Sequence, residues 1–336
     1  MNLFILLNAS KIPNEPNVVT SFIAGVLGII LDFIYGFVSL FTENYVLGLS
    51  IILFTIITRF LMVPFAVSSQ KSMMKTQRIQ PEVNKINKKY GDSKDPEVLK
   101  KKNAEIQALY AKEKINPIAS CLPLFLQLPI FFALSYIMQV PYLYIGALKE
   151  LYVDKLANVV LSINNSLQLL EPIILPKLLN RDINIGANYP DQLARVLARF
   201  TEAEWQDFFT RVPAEFSAQI EQVKSILMQI ENTGMFFGLK LTETPGFRLS
   251  PAIIIPILSA VTSFLSSYIM TRQQKNTSSD PNLVNTQKTM TYVTPLMMAF
   301  FTITTPIGVG IYWITSNVFH IVQQIVINRI YSNKGE

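Results

Sequence analysis

Val46-Leu-Gly-Leu-Ser-Ile-Ile-Leu-Phe-Thr-Ile-Ile-Thr-Arg-Phe-Leu-Met-Val-Pro-Phe-Ala-Val67 is the stretch whose reading decides the fold. About 20 apolar residues are what an α-helix needs to cross a ~30 Å hydrocarbon core. A single charge interrupts the run, Arg59. An arginine at a helix centre costs roughly 2.5 to 3.5 kcal/mol on insertion scales, so it is a functional candidate by default. Arg59 precedes Val67 by eight residues. At 1.5 Å per residue this is about 12 Å from the helix end. That is too deep for an interface anchor, yet shallow enough for water to reach from that side.

The rest of the chain has the same character. Of its 336 residues 50% are hydrophobic and only 15% charged, against about 25% charged in soluble domains. Four further apolar stretches follow: Ile118–Val140, Pro251–Met270, Met290–Thr304 and Ile307–Ile327, the last two joined at Pro306. Met290–Thr304 is the shortest and least secure as a span. The expected fold is all-α: a polytopic membrane protein with five transmembrane helices, a cytoplasmic helical hairpin and an extracytoplasmic helical insertion. Its expected boundaries are an N-terminal segment over 1–45, spans at 46–67, 118–140, 251–270, 290–305 and 306–327, and a tail over 328–336. Between them lie the hairpin at 68–117, the outer loop at 141–250 and a short loop at 271–289. Phe22–Phe41 is apolar but carries Asp32 and several glycines and aromatics. It is read as an interfacial amphipathic helix, with a sixth span or a signal anchor as the rivals.

Charge orients the chain. Residues 68–117 hold 12 basic and 6 acidic residues, whereas 141–250 hold 10 basic and 12 acidic. Arg272, Lys275 and Lys288 face only Asp280 in the next loop, and the tail adds Arg329 and Lys334. The positive-inside rule puts these three basic segments in the cytoplasm. Five spans then leave the N-terminus outside and the C-terminus inside. Cytoplasmic loops account for the net charge of +6 more simply than DNA binding does.

In the 68–117 loop Ile79, Val83, Ile86 and Tyr90, then Leu99, Ile106 and Leu109, recur at helical spacing. Asp95 and Pro96 supply an N-cap and a first helical residue. Met73 and Met74 are an adaptable contact or simple packing. In the outer loop, Tyr189–Asn232 reads as two or three amphipathic helices. Thr201 and Glu204 form a capping box before Trp205, Phe208 and Phe209. Pro213 opens a helix carrying Phe216, Ile220, Val223, Leu227 and Ile230.

Cys121 and His320 are the chain's only cysteine and histidine. They support neither a disulfide nor a metal site, and no cofactor is expected. A membrane enzyme would need a nucleophile–base pair or a metal cluster, and these two residues give neither. A transporter or channel for an anionic solute would show inverted repeats, and none is visible.

Several motifs in succession carry a resemblance. Ile57-Thr-Arg-Phe-Leu-Met-Val-Pro64, Gln70-Lys-Ser-Met-Met-Lys75, Gln80-Pro-Glu-Val83, Asn116-Pro117, Cys121-Leu-Pro-Leu-Phe-Leu-Gln-Leu-Pro-Ile130, Gly310-Ile-Tyr-Trp-Ile-Thr-Ser-Asn317 and Gln323-Gln324 follow in order. Together they resemble the YidC family of membrane protein insertases, in its Gram-positive-like type. The Pro141–Met235 insertion is longer than that type implies, the lipoprotein cysteine is absent and the C-terminal tail is short. The resemblance implies that Arg59 lines a hydrophilic groove open to cytoplasm and lipid. It also implies nascent membrane proteins as substrates in the lipid bilayer, with the Sec translocon and the ribosome as candidate partners.

Spans two to five contain no Asp or Glu to pair with Arg59, which independently favours water as its surroundings. Polar residues that could share the groove are Thr55, Thr58, Gln127, Thr315, Ser316 and Asn317, with Tyr312 and Trp313 as an amphipathic rim. Their bland readings are helix–helix bonding for Gln127, at roughly 0.6 kcal/mol, and interhelical packing for Trp313.

Overall fold

A computed structural model describes residues 17–91, 93, 95–115, 122–178, 190–274 and 281–332. These are predominantly helical, as the sequence leads one to expect; the exception is one two-stranded antiparallel hairpin. In chain order the first helices are α1 (Val18–Ser39), α2 (Val46–Arg78), α3 (Gln80–Tyr90), α4 (Pro96–Lys112) and α5 (Leu122–Gln139). The outer insertion contains α6 (Gly146–Lys149), a π-helical segment Glu150–Ala157, α7 (Asn158–Leu161), α8 (Ser166–Leu178), α9 (Pro190–Leu197), α10 (Glu202–Arg211) and α11 (Ser217–Gly234). The hairpin strands β1 (Met235–Phe236) and β2 (Leu239–Lys240) follow, then α12 (Ile254–Gln274), α13 (Pro281–Thr304) and α14 (Ile307–Ser332).

Among the described residues three helical segments are long and apolar enough to cross a membrane: Val18–Ser39, Val46–Thr76 and Pro251–Met270. Thr291–Thr304 is apolar but shorter. The first of the three is the segment read from sequence as interfacial. Helix α2 continues well past the expected span end at Val67 and contains Pro64; Pro129 and Pro295 likewise sit inside α5 and α13. Each proline removes a backbone donor from its helix.

The chain divides into two compact units. One comprises the residues up to Phe54, Ile130–Ile253 and Ile303–Ile311; the other comprises Thr55–Pro129, Ile254–Thr302 and the residues from Tyr312. Four of the five boundaries fall within helices, so α2, α5, α13 and α14 each contribute to both, while the boundary at Ile253–Ile254 falls where α12 begins.

In the first unit, the insertion has a core of its own. Leu156, Val160, Leu170, Leu193, Phe208 and Val223 are completely buried and contact one another in one cluster. Ile220 and Leu227 pack against it from α11, as their spacing predicts. The Thr201–Glu204 capping box forms, with Thr201 N–H donating to Glu204 Oε2 at 2.6 Å and Glu204 N–H donating to Thr201 Oγ1 at 3.3 Å. The sequence places helices only from residue 189 onward, whereas the folded core begins near residue 151 and includes the π-helical segment, α7 and α8. Arg199 donates to the backbone carbonyl of Gln139, the last residue of α5, at 2.9 Å.

In the second unit, α3 and α4 form a helical hairpin around Ile79, Val83, Leu109 and Ile115, with Ile86, Ile106 and Tyr110 packed against them. Asp95 caps α4 by accepting from Glu97 N–H at 2.9 Å, and Pro96 opens it. Leu99 departs from expectation. It is 41% exposed, because the packed stripe of α4 runs through Ile106, Leu109 and Tyr110 instead. Asn116, Pro117, Cys121 and the side chain of Met73 lie outside the described residues.

Candidate functional site

Three helices of the second unit meet at Arg59. Its guanidinium donates from Nη2 to Gln127 Oε1 at 2.8 Å. The Gln127 amide in turn donates from Nε2 to the Tyr312 hydroxyl at 2.7 Å. A continuous polar chain thus links α2, α5 and α14. Gln127 is buried at 8% exposure and Tyr312 at 2%, while Arg59 itself is only partly buried. Among the described residues no acid pairs with Arg59, so its charge is met by an amide dipole and not by a counter-ion. A guanidinium has five N–H donors, of which the bond to Gln127 uses one.

Thr58 turns back along α2, donating from Oγ1 to the Thr55 carbonyl at 2.9 Å, and Thr55 is fully buried. This is the local back-bonding that lets a hydroxyl reside in a helix.

Trp313 and Asn317 belong to a second polar group, between α12 and α14. The Trp313 indole N–H donates to Ser263 Oγ at 3.0 Å. The Asn317 amide lies 3.1 Å from Thr262 Oγ1 and 2.8 Å from Ser263 Oγ. Turned with its oxygen toward Trp313, it accepts from the indole N–H at 3.2 Å. One helical turn on, His320 Nδ1 and Ser266 Oγ are 2.9 Å apart. Thr315 is partly buried. Ser316 is buried at 1%, and its hydroxyl finds no partner among the described residues; the same holds for Ser259 Oγ.

The six candidate residues thus separate into a charged chain (Arg59, Gln127, Tyr312), a neutral seam (Trp313, Asn317) and a back-bonded threonine (Thr58). The seam's partners on α12 were not read from sequence. Ser259, Thr262, Ser263 and Ser266 recur at spacings of three and four, which places them on one helical face. That periodicity was the available signal. Among the described residues no group of three or more His, Cys, Asp or Glu could hold a metal ion.

Comparison with known proteins identifies the context of this site. The sequence profile of the 60Kd inner membrane protein family matches residues 37–184 and 193–334. A membrane protein insertase YidC of Caldanaerobacter subterraneus subsp. tengcongensis is 29% identical over 308 residues, covering 91% of this chain and 94% of that protein. The membrane protein insertase YidC of Enterococcus faecalis is 27% identical over 86% of this chain and 69% of its own length. That of Rickettsia akari is 28% identical over 89% of this chain, which spans only 37% of the Rickettsia protein. Both halves of the Arg59 chain fall inside the matched residues, and the chain belongs to the 60Kd inner membrane protein family, that of the YidC membrane protein insertases.

Proposed function

We infer that this multi-pass protein of a bacterial membrane inserts other membrane proteins into the bilayer, and that Arg59 is the electrostatic receptor for their polar segments. Family membership carries the first statement. The Arg59–Gln127–Tyr312 chain supports the second: a cation held among apolar helices by a neutral amide keeps its charge available to an incoming carboxylate.

The mechanism follows from that arrangement. A nascent chain's acidic or polar segment enters from the cytoplasm and is drawn to Arg59. Water around the guanidinium shortens the dry path, which lowers the segment's desolvation cost. Partitioning of the client's own apolar span into lipid then drives release, aided by the membrane potential at about 2.3 kcal/mol per charge per 100 mV. No bond is made or broken. Trp313 and Asn317 line the same route as neutral contacts, and Thr58 adds a polar wall.

The reading includes five spans at 46–67, 118–140, 251–270, 290–305 and 306–327, the N-terminus outside, and the 68–117 hairpin and the tail in the cytoplasm. Interfacial placement of α1 is supported by its middle. Asp32 Oδ1 accepts from Gly146 N–H at 2.8 Å, and Tyr144 packs against Gly28 so closely that a side chain there would collide with its ring. Both contacts lie just beyond the end of α5 at Gln139. A spanning α1 would carry its middle about 15 Å away from that level, at the bilayer centre. The Sec translocon and the ribosome are proposed partners, the ribosome reached through the basic hairpin.

A photocrosslinker at position 59, challenged with a ribosome-stalled membrane protein, tests the receptor. Adducts with the client's acidic flank are expected; adducts with lipid alone contradict it.

A further inference from the structure

Phe237 occupies an unfavourable position in two respects. The β1–β2 register pairs Met235 with Lys240 and Phe236 with Leu239. That leaves Phe237-Gly238 as a two-residue turn with φ of 48° and 78°. Such a turn, with φ positive at both residues, prefers Asn-Gly; a bulky residue in the left-handed region is an outlier. Phe237 is also 73% exposed. Neither backbone preference nor core packing calls for an aromatic there.

Its neighbours indicate what does. Tyr45, the residue before α2, stacks on Phe237 with ring centroids 5.0 Å apart. Phe236 lies directly on Gly48 in the first turn of α2, where any larger residue would overlap its ring. The segment after the hairpin is sewn to the turn between α13 and α14: Gly246 N–H donates to Ile303 O at 3.0 Å, Ile307 N–H to Glu243 O at 2.8 Å, and Gly308 N–H to Leu241 O at 2.8 Å. Phe247 and Leu249, 61% and fully exposed, then lead into Pro251. The hairpin is therefore tied to the starts of α2 and α14, and Leu49, the residue after Gly48, is itself exposed on the first turn of α2.

We propose that the Phe237 hairpin, with Tyr45, Phe247 and Leu249, is a lipid anchor that seats the insertion in the headgroup region of the outer leaflet. Aromatics at span ends favour this depth, where an apolar ring meets acyl chains and backbone groups stay wet. Continuity with the flanks of the spans selects lipid as the occupant over a protein partner. The neighbouring exposed charges are Lys240 and Arg248 against Glu43, Glu231 and Glu243, with no basic excess to select anionic lipid, so the anchor takes neutral lipid at least as readily. The proposal goes beyond insertase activity and rests on Val46–Thr76 and Pro251–Met270 crossing the membrane.

The test uses the full chain with Cys121→Ser, reconstituted in lipid nanodiscs, carrying an environment-sensitive fluorophore on Phe237→Cys, Leu249→Cys or Glu221→Cys. Labels at 237 and 249 should be quenched about twofold or more by lipids brominated near the headgroup and shielded from aqueous iodide. The label at 221, on the exposed face of α11, should behave oppositely. Replacing zwitterionic by anionic lipid should leave the pattern unchanged. Iodide quenching at 237 and 249 equal to that at 221 overturns the proposal, as does shielding from both quenchers, the signature of a protein cover. Should Phe237→Cys fail to reconstitute, position 249 gives the same reading.

Discussion

Two arginines of this chain each donate to an amide oxygen supplied by α5, with different consequences. Arg199 bonds the backbone carbonyl of Gln139 at the end of that helix; Arg59 bonds the side chain of Gln127 within it. The Gln139 carbonyl is one of the orphan acceptors every helix leaves at its C-terminus, where the macrodipole also favours a cation. It has few other ways to be satisfied. Burial holds the Arg199 guanidinium below its usual range, with Tyr142 and Tyr152 partly offsetting this, and the bond reads as a structural staple between the insertion and the helix. The Gln127 oxygen belongs to a rotatable side chain that can exchange its donor. The proposed receptor role uses this difference: a charge resting on an exchangeable neutral partner is one that an incoming carboxylate can take over.

This contrast can be broken experimentally, beginning where the effect should be largest. Arg59→Ala should lower insertion of acidic single-span clients in a depletion assay by about ten- to a hundredfold, the equivalent of one charge-assisted hydrogen bond. Its thermal midpoint should barely move. Lysine at 59 should retain most activity, since charge and not a bidentate fork is required. Gln127→Glu is the sharper variant. It keeps the bond to Arg59 but supplies a permanent counter-charge, so insertion should fall about tenfold, further than with Gln127→Ala; wild-type rates would show that the positive charge is not the working feature. Arg199→Ala should do the reverse, costing the fold about 1.5 to 3 kcal/mol in denaturant or thermal unfolding while folded molecules keep their insertion rate. Tyr312→Phe should have the smallest effect, about 1 kcal/mol or less in either assay, because Gln127 keeps its bond to Arg59.

The legible and illegible parts of the molecule divide on physical grounds. Arg59 stood out because a charge in an apolar run is expensive, and Gln127 and Tyr312 because amides and phenols in spans need partners. Capping signals at Asp95 and Thr201 were equally plain, since each satisfies identifiable orphan donors. The α12 serines escaped notice because a hydroxyl can always turn back on its own helix, as Thr262 does onto Leu258 O at 2.7 Å. Composition alone therefore does not separate a seam from a lipid face. Leu99 misled because apolar spacing marks a possible stripe, and only packing decides which stripe is used. The 235–240 hairpin has strands of two residues, too short for any alternation, and its Phe-Gly turn lacks the usual asparagine. Helices α6–α8 were missed because their apolar residues sit in a long loop without strong caps, and a π-helical segment breaks the 3.6-residue period.

The receptor role of Arg59 is tested most directly by a charge cycle. Insertion rates would be measured for an acidic client and for the same client with its flanking acids neutralised, each with wild-type protein and with Arg59→Ala. The receptor account predicts a penalty of about tenfold or more for the acidic client and less than about twofold for the neutral one. Equal penalties for both clients would contradict it and reduce Arg59 to a structural residue like Arg199.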